Sequence, residues 1–219
     1  MAKPQKANFK RSAPRLYLVT PLVGEAGTFA AALGSAVNAA DIAAVLLRLR
    51  PDGERALINR VKALASVVQP KGVALVLDGH AEIAAHGGAD GAHLTGIEAF
   101  TAAAAILKPG RIAGCGGLQM RHDAMLAGER GADYVMFGEI DAGARRPSFP
   151  AIVERIEWWA HLLEIPCVGF AAAADEIAPL AAAGADFVAV GGPLWDDPRG
   201  PAAAVAEAAA QLAAPETVP

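Results

Sequence analysis

Arg48 and Arg50 stand two residues apart in LLRLR, residues 46–50, so an extended chain puts both guanidinium groups on one face. Two cations at the buried end of a strand need an anionic partner, and the guanidinium fork matches the oxygens of a phosphate or diphosphate. The alternative is that one or both turn outward to a helix carboxylate such as Glu54. Asp78 closes GVALVLDG, residues 72–79, and Glu98 follows GAHLTG, residues 91–96. Such carboxylates suit Mg²⁺ held jointly with substrate phosphates, or else the first turn of a helix, where they complement its dipole. His80 and His93 lie close by in the chain and suit a metal site or a proton shuttle, or a hydrogen-bonded place in the core. Gly191 and Gly192 in VAVGGP let backbone amides approach an anion, or make only a turn. Arg145 and Arg146 add two cations to DAGARRP, residues 141–147, which reads as a lid over a phosphate or as surface charge.

The elements that must carry these residues alternate along the chain. Eight short apolar runs cover residues 15–21, 44–51, 72–79, 91–96, 111–117, 133–140, 166–172 and 186–192. Each is too short for a helix and most end in Gly, Pro or a polar residue, as buried parallel strands do. Between them lie Ala-rich segments of helical length, including residues 25–39, 53–68, 119–130, 149–163 and 201–212. Gly-Ala-Asp recurs at 88–90, 131–133 and 184–186, each glycine capping a helix and turning the chain into the next strand. Strand–helix alternation alone also fits a Rossmann or flavodoxin sheet. Eight units without a long linker favour closure, because an open sheet would leave two bare edges. The expectation is an α/β protein with a single-domain (β/α)₈ TIM barrel over residues 15–214, a flexible basic tail over 1–14 and a short tail over 215–219. Such a barrel places its chemistry at the C-terminal strand ends. These are Thr20, Arg48, Arg50, Asp78, His93, Thr95, Cys115, Gly116, Glu139, Asp141, Gly191 and Gly192.

Composition narrows the classes further. The 219 residues hold 19 Lys plus Arg against 23 Asp plus Glu, a net charge of −4, which argues against a general nucleic-acid binder. Hydrophobic residues make up 54% and charged ones 19%, with a mean hydropathy of +0.33, so a large core is expected rather than disorder. The longest uncharged run, residues 26–40, is 15 residues, short of the about 18 that would span a bilayer. Two cysteines make no disulfide framework, and the N-terminal Lys3, Lys6, Lys10 and Arg11 precede no apolar stretch, so a cytoplasmic location is expected.

In order and spacing, the motifs resemble the thiamine phosphate synthase family, with its tautomerase relatives, over residues 15–194. RLYLVTP is similar to its L-Y-L-[IV]-T, Asp90-Gly91-Ala92-His93-Leu94 to D-G-V-H-L, and Gly131-Ala132-Asp133-Tyr134 with Phe137-Gly138 to G-A-D-Y-x-x-x-G. Residues 182–190 are similar to A-A-G-A-D-G-V-A-V. The resemblance implies a (β/α)₈ transferase that joins an aminopyrimidine diphosphate to a thiazole phosphate and releases pyrophosphate with Mg²⁺. It places the diphosphate motif Q-L-R-[ED]-K on residues 46–50, so that Arg48 and Arg50 hold the diphosphate. The metal carboxylates fall on Asp78 and Glu98, a leaving-group cation on Arg146, and the thiazole phosphate on Gly191 and Gly192. The family serine falls on Gly116, the T-x-T-K lid on Gly143-Ala144-Arg145-Arg146, and a Gly-Gly pair on Ala171-Ala172. The cations are thus kept while hydroxyl and amide groups are lost. The tautomerase histidine position is Leu118, and His122, one helical turn later, does not match it. Small phosphorylated heterocycles are the implied partners, with no nucleic acid or membrane, and a homodimer is common in the family. The competing readings are a non-catalytic barrel that binds a phosphorylated ligand and a tautomerase-like enzyme on the same scaffold.

Overall fold

The computed structural model describes residues 11–140 and 145–213. Eight parallel strands close on themselves in sequence order: β1 (Arg15–Val23), β2 (Ile42–Leu49), β3 (Ala74–Asp78), β4 (Gly91–Thr95), β5 (Ile112–Gly116), β6 (Tyr134–Phe137), β7 (Cys167–Ala171) and β8 (Phe187–Val190), which pairs back with β1. The helices around them are α1 (Ala26–Val37), α2 (Glu54–Val68), α3 (Ala81–Gly87), α4 (Ile97–Leu107), α5 (Arg121–Glu129), α6 (Phe149–Leu162), α7 (Ile177–Ala182) and α8 (Pro201–Ala213). Every apolar run expected to be a strand is one, and the expected single-domain (β/α)₈ barrel is the fold. Among the described residues, no helix is long and apolar enough to cross a membrane.

The period-two alternation of the strands divides the core into two layers. Tyr17, Val19, Ala44, Leu46, Val76, Tyr134, Met136, Val168 and Ala189 fill the barrel lumen. Their neighbours, such as Leu16, Leu18, Val45 and Leu47, face outward onto the helices, where Trp159 and Phe100 are fully buried. Strand β5, IAGCG, turns Gly114 and Gly116 inward, so its upper inner wall carries no side chains. The Tyr134 ring occupies the first gap: a Cβ on Gly114 would lie 2.1 Å from its Cζ.

The Gly-Ala-Asp repeat builds the barrel floor. Its glycines take left-handed φ values of 80°, 85° and 99° at positions 88, 131 and 184. Each aspartate precedes an even-numbered strand and binds the start of the odd-numbered strand before it. Asp90 accepts the Leu75 N–H at 2.7 Å, Asp133 the Ala113 N–H at 2.7 Å, and Asp186 the Cys167 N–H at 2.8 Å. Gln69, Lys108 and Arg11 respectively cover the same carboxylates. Residues 1–10 and 215–219 of the expected tails lie outside the described residues. From Arg11 the chain lies against the floor, where this guanidinium also donates to the Leu163 carbonyl.

Candidate active site

The first corner of the barrel mouth is shaped by a proline. Pro21 has no N–H for the ladder, and the β1–β2 register shifts there: Val19 pairs with Leu46, but Leu22 pairs with Arg48. The buried Thr20 hydroxyl fills the break, accepting the Arg48 N–H at 3.0 Å and donating to the Pro21 carbonyl at 2.9 Å. From α2, Arg60 donates to the Arg50 carbonyl at 3.0 Å and to Asp52 at 2.9 Å, fixing the chain just past β2. The Arg48 side chain is inward and 43% exposed, with its Nε 3.4 Å from the Asp78 carboxylate. Glu54, the alternative partner, faces His86 instead, at 3.7 Å. Arg50 is exposed and passes beside Gly24 on the loop after β1.

The lumen carries a chain of polar side chains to the opposite side of the mouth. The Tyr17 and Tyr134 hydroxyls are 2.8 Å apart, and Tyr134 Oη lies 2.9 Å from His93 Nδ1. His93 Nε2 lies 3.0 Å from Glu139 Oε1, and Glu139 Oε2 accepts the Gly117 N–H at 3.0 Å. One direction of donation satisfies the whole chain: Tyr17 to Tyr134, Tyr134 to a neutral His93, and His93 to an ionised Glu139. Protonating His93 reverses both hydroxyls.

Burial pulls the fully buried imidazolium of His93 down, but the Glu139 charge and hydrogen bond, with the Asp78 charge, outweigh it and hold the pKa above the ordinary histidine value. Burial raises both tyrosines above their ordinary range. A raised folded-state pKa stabilises the fold fully below the unfolded value of about 6.5, and that contribution is lost as pH rises through the folded value. His93 is therefore expected to titrate above ordinary histidine in NMR of ¹⁵N-histidine-labelled protein. Glu139→Gln should bring it down, because only the Asp78 charge then opposes burial. A His93 that titrates at or below the ordinary value would refute the assignment of charge to Glu139.

Arg146 sits between the ends of β6 and β7, where it donates to the Gly138 and Phe170 carbonyls at 2.9 and 3.1 Å and pairs with both oxygens of Glu176 at 3.0 and 2.6 Å. Glu176 in turn accepts the Ala172 N–H at 2.7 Å. The expected leaving-group cation is thus tied into the rim. Arg145 is exposed, and Asp141, Gly143 and Ala144 of the expected lid lie outside the described residues. Beyond β7 and β8 opens a cavity of about 160 Å³ lined by Ala171, Ala172, Gly191, Arg199 and Glu207. Gly191 packs against β1, since a Cβ there would lie 2.9 Å from the Val19 carbonyl oxygen, and Gly192 adopts a φ of 49°. The Trp195 indole N–H holds this turn to the same carbonyl at 2.7 Å.

Asp78 and the exposed Glu98, in the first turn of α4, supply hard oxygen donors beside β3 and β4. Among the described residues, no three His, Cys, Asp or Glu side chains gather into a metal-binding cluster. A single carboxylate at the mouth, such as the part-exposed Asp78, suits Mg²⁺, which usually takes one or two carboxylates and completes its shell with water and substrate phosphates. Cys115 faces outward and is buried; burial and the Glu139 charge push its thiol up to about 12, so it is no nucleophile. His80 and His122 are exposed. The sequence places Thr20 and Glu139 at strand ends of the mouth without giving either a specific role, and points to none for Arg60, Tyr17 or Tyr134. The signal within reach was the inward Gly114–Gly116 pair, which leaves room that some other side chain must fill.

The family model for thiamine monophosphate synthase matches residues 16–194. A thiamine-phosphate synthase of Rhodospirillum centenum is 40% identical over 88% of this chain and 95% of its own length, and one of Hyphomonas neptunium is 37% identical over 89% and 92%. Among solved structures, a thiamine phosphate pyrophosphorylase from Pyrococcus furiosus superposes with a TM-score of 0.74 at 21% identity, covering 91% of this chain and 95% of that one. A 3-hexulose-6-phosphate synthase gives 0.69 at 16% identity, so this likeness speaks for the barrel rather than for a reaction. With matches of this length and identity on a closed eight-stranded barrel, the chain belongs to the thiamine monophosphate synthase family.

Proposed function

We infer that the protein is a thiamine-phosphate synthase, joining an aminopyrimidine diphosphate to a thiazole phosphate with release of pyrophosphate. Besides family membership, the observation that carries the reading is the Arg48–Asp78 pair, a guanidinium and a carboxylate 3.4 Å apart and half-exposed at the mouth. A departing diphosphate needs such charge in place before the bond breaks. Arg48 binds its oxygens as a fork, and Arg50 adds a second cation from the adjoining loop. Asp78, with Glu98, would hold Mg²⁺, which neutralises charge on the leaving group when bound. The C–O bond to the diphosphate breaks with its electron pair going to oxygen, and the thiazole nitrogen closes the new C–N bond. Gly191 and Gly192, beside the cavity beyond β8, bind the thiazole phosphate through backbone amides. Gly116 faces the pyrimidine, Arg146 steadies the rim, and Arg145 lies beside it. The two buried, free cysteines fit a reducing cytoplasm.

Purified protein supplied with both substrates and Mg²⁺ is expected to release one pyrophosphate per coupled product, and to release none after chelation of the metal. Thermal stabilisation by a phosphate ligand without pyrophosphate release would instead establish a non-catalytic barrel.

A further inference from the structure

We propose that Glu139 is the group that recognises the aminopyrimidine ring and stabilises its positive charge as pyrophosphate leaves. The proposal rests on the synthase reading above. The carboxylate occupies a place made for it by a missing side chain: a Cβ on Gly116 would lie 1.6 Å from Glu139 Oε2 and 2.6 Å from His93 Nε2. Both oxygens are held, one by the His93 ring at 3.0 Å and one by the Gly117 N–H at 3.0 Å, and the side chain is only 14% exposed. Its orientation is therefore set before any ligand arrives. His93 is a positioning residue, itself held by Tyr134 at 2.9 Å.

An ionised carboxylate only accepts hydrogen bonds, and each oxygen has a lone pair beyond the bond already made. The complementary ligand edge presents donors: the exocyclic amine of an aminopyrimidine and its adjacent ring nitrogen when protonated. The same edge is where charge develops. When the C–O bond breaks, the electron pair leaves with the diphosphate, and the positive charge on the methylene carbon spreads into the ring nitrogens and the amine. The thiazole nitrogen then donates its pair to that carbon, and the charge ends on the thiazolium, so no proton need be gained or lost. A fixed anion beside the ring favours the stage at which the ring and its methylene carry the added positive charge over the ground state. Its place also agrees with the diphosphate corner, because His93 is the register partner of Asp78 on the next strand.

Two readouts test the proposal. The hydroxymethyl aminopyrimidine, lacking the diphosphate, serves as the binding probe in calorimetry, independently of turnover. The wild type should bind it, and Glu139→Gln, which keeps the size but not the charge, should bind it at least tenfold more weakly. In steady state, Glu139→Gln should lower kcat about 100-fold, while Mg²⁺-dependent binding of inorganic pyrophosphate stays within twofold of wild type, which also reports that the variant is folded. Gly116→Ser, which displaces the carboxylate without removing it, should lose probe affinity in the same direction. Equal probe affinity in wild type and Glu139→Gln, or no probe binding by the wild type, overturns the proposal. A wild type that binds the probe yet releases no pyrophosphate overturns the synthase reading and leaves the pyrimidine site standing.

Discussion

Arg48→Ala is expected to lower kcat/KM for pyrophosphate release by about 10³-fold or more, a loss typical of removing a principal transition-state charge, while the protein melts within about 4 °C of wild type. The two halves of that expectation have separate causes. The Arg48 side chain is 43% exposed and its Asp78 partner 38% exposed, and exposed ion pairs contribute at most about 1 kcal/mol. The bond that shapes the strand end is made by the backbone, from the Arg48 N–H to Thr20, and an alanine keeps it. The guanidinium, by contrast, is the inward-facing cation on β2 at the mouth. Arg48→Lys keeps the charge but loses the fork, and should fall between, at roughly 10- to 100-fold. Isothermal titration with pyrophosphate and Mg²⁺ should show the same ranking in binding. Retention of more than a tenth of wild-type kcat/KM by Arg48→Ala would move the diphosphate site away from the end of β2.

The largest loss of stability is expected at the opposite side of the fold. Trp159 is fully buried on α6, 5.8 Å from the Phe137 ring in an edge-on arrangement, and its indole N–H donates to the Ile165 carbonyl at 2.7 Å. Trp159→Ala removes the ring and leaves a cavity between α6 and β6, which should cost about 3–5 kcal/mol and lower Tm by roughly 10 °C for a chain of this size. Trp159→Phe fills most of the space but leaves the Ile165 carbonyl without its donor, a cost of about 1–3 kcal/mol. Differential scanning calorimetry separates the two variants. Because the residue lies behind β6 rather than at the mouth, KM for both substrates should be unchanged below the transition. A Trp159→Ala variant as stable as Trp159→Phe would mean that the helix repacks over the gap.

The fold was legible because buried parallel strands and capping glycines leave local signatures. Residues 91–96 and 186–192, taken as strands from their small apolar runs, contain β4 and β8. β1 runs two residues past the expected end at Pro21 because pairing resumes beyond the bulge, at Leu22 and Val23. The candidate site is legible only where neighbouring strand ends carry the feature. Arg48 and Asp78 could be read from neighbouring strand ends, and they do meet. Glu139 is 46 residues from His93, and their contact depends on which face of β5 the glycines occupy, a matter of register that local sequence does not state. The sequence offers Arg146 as a cation for substrate but does not show its pairing with Glu176, which depends on a short turn, Ala174–Glu176, that has no strong local signature.

The floor aspartates bear on how this protein can change over time. Asp90, Asp133 and Asp186 tie β3 to β4, β5 to β6 and β7 to β8 at the end remote from the mouth. Alignment of these three strand pairs is thereby held by groups at the end away from the mouth. A residue such as Gly116 or Ala172 can replace a larger polar one there, and a carboxylate can swing in from the next strand, without loosening the ladder beneath. The barrel thus separates ligand contact from strand alignment along its axis: a side chain exchanged at the rim leaves the hydrogen bonds at the base in place.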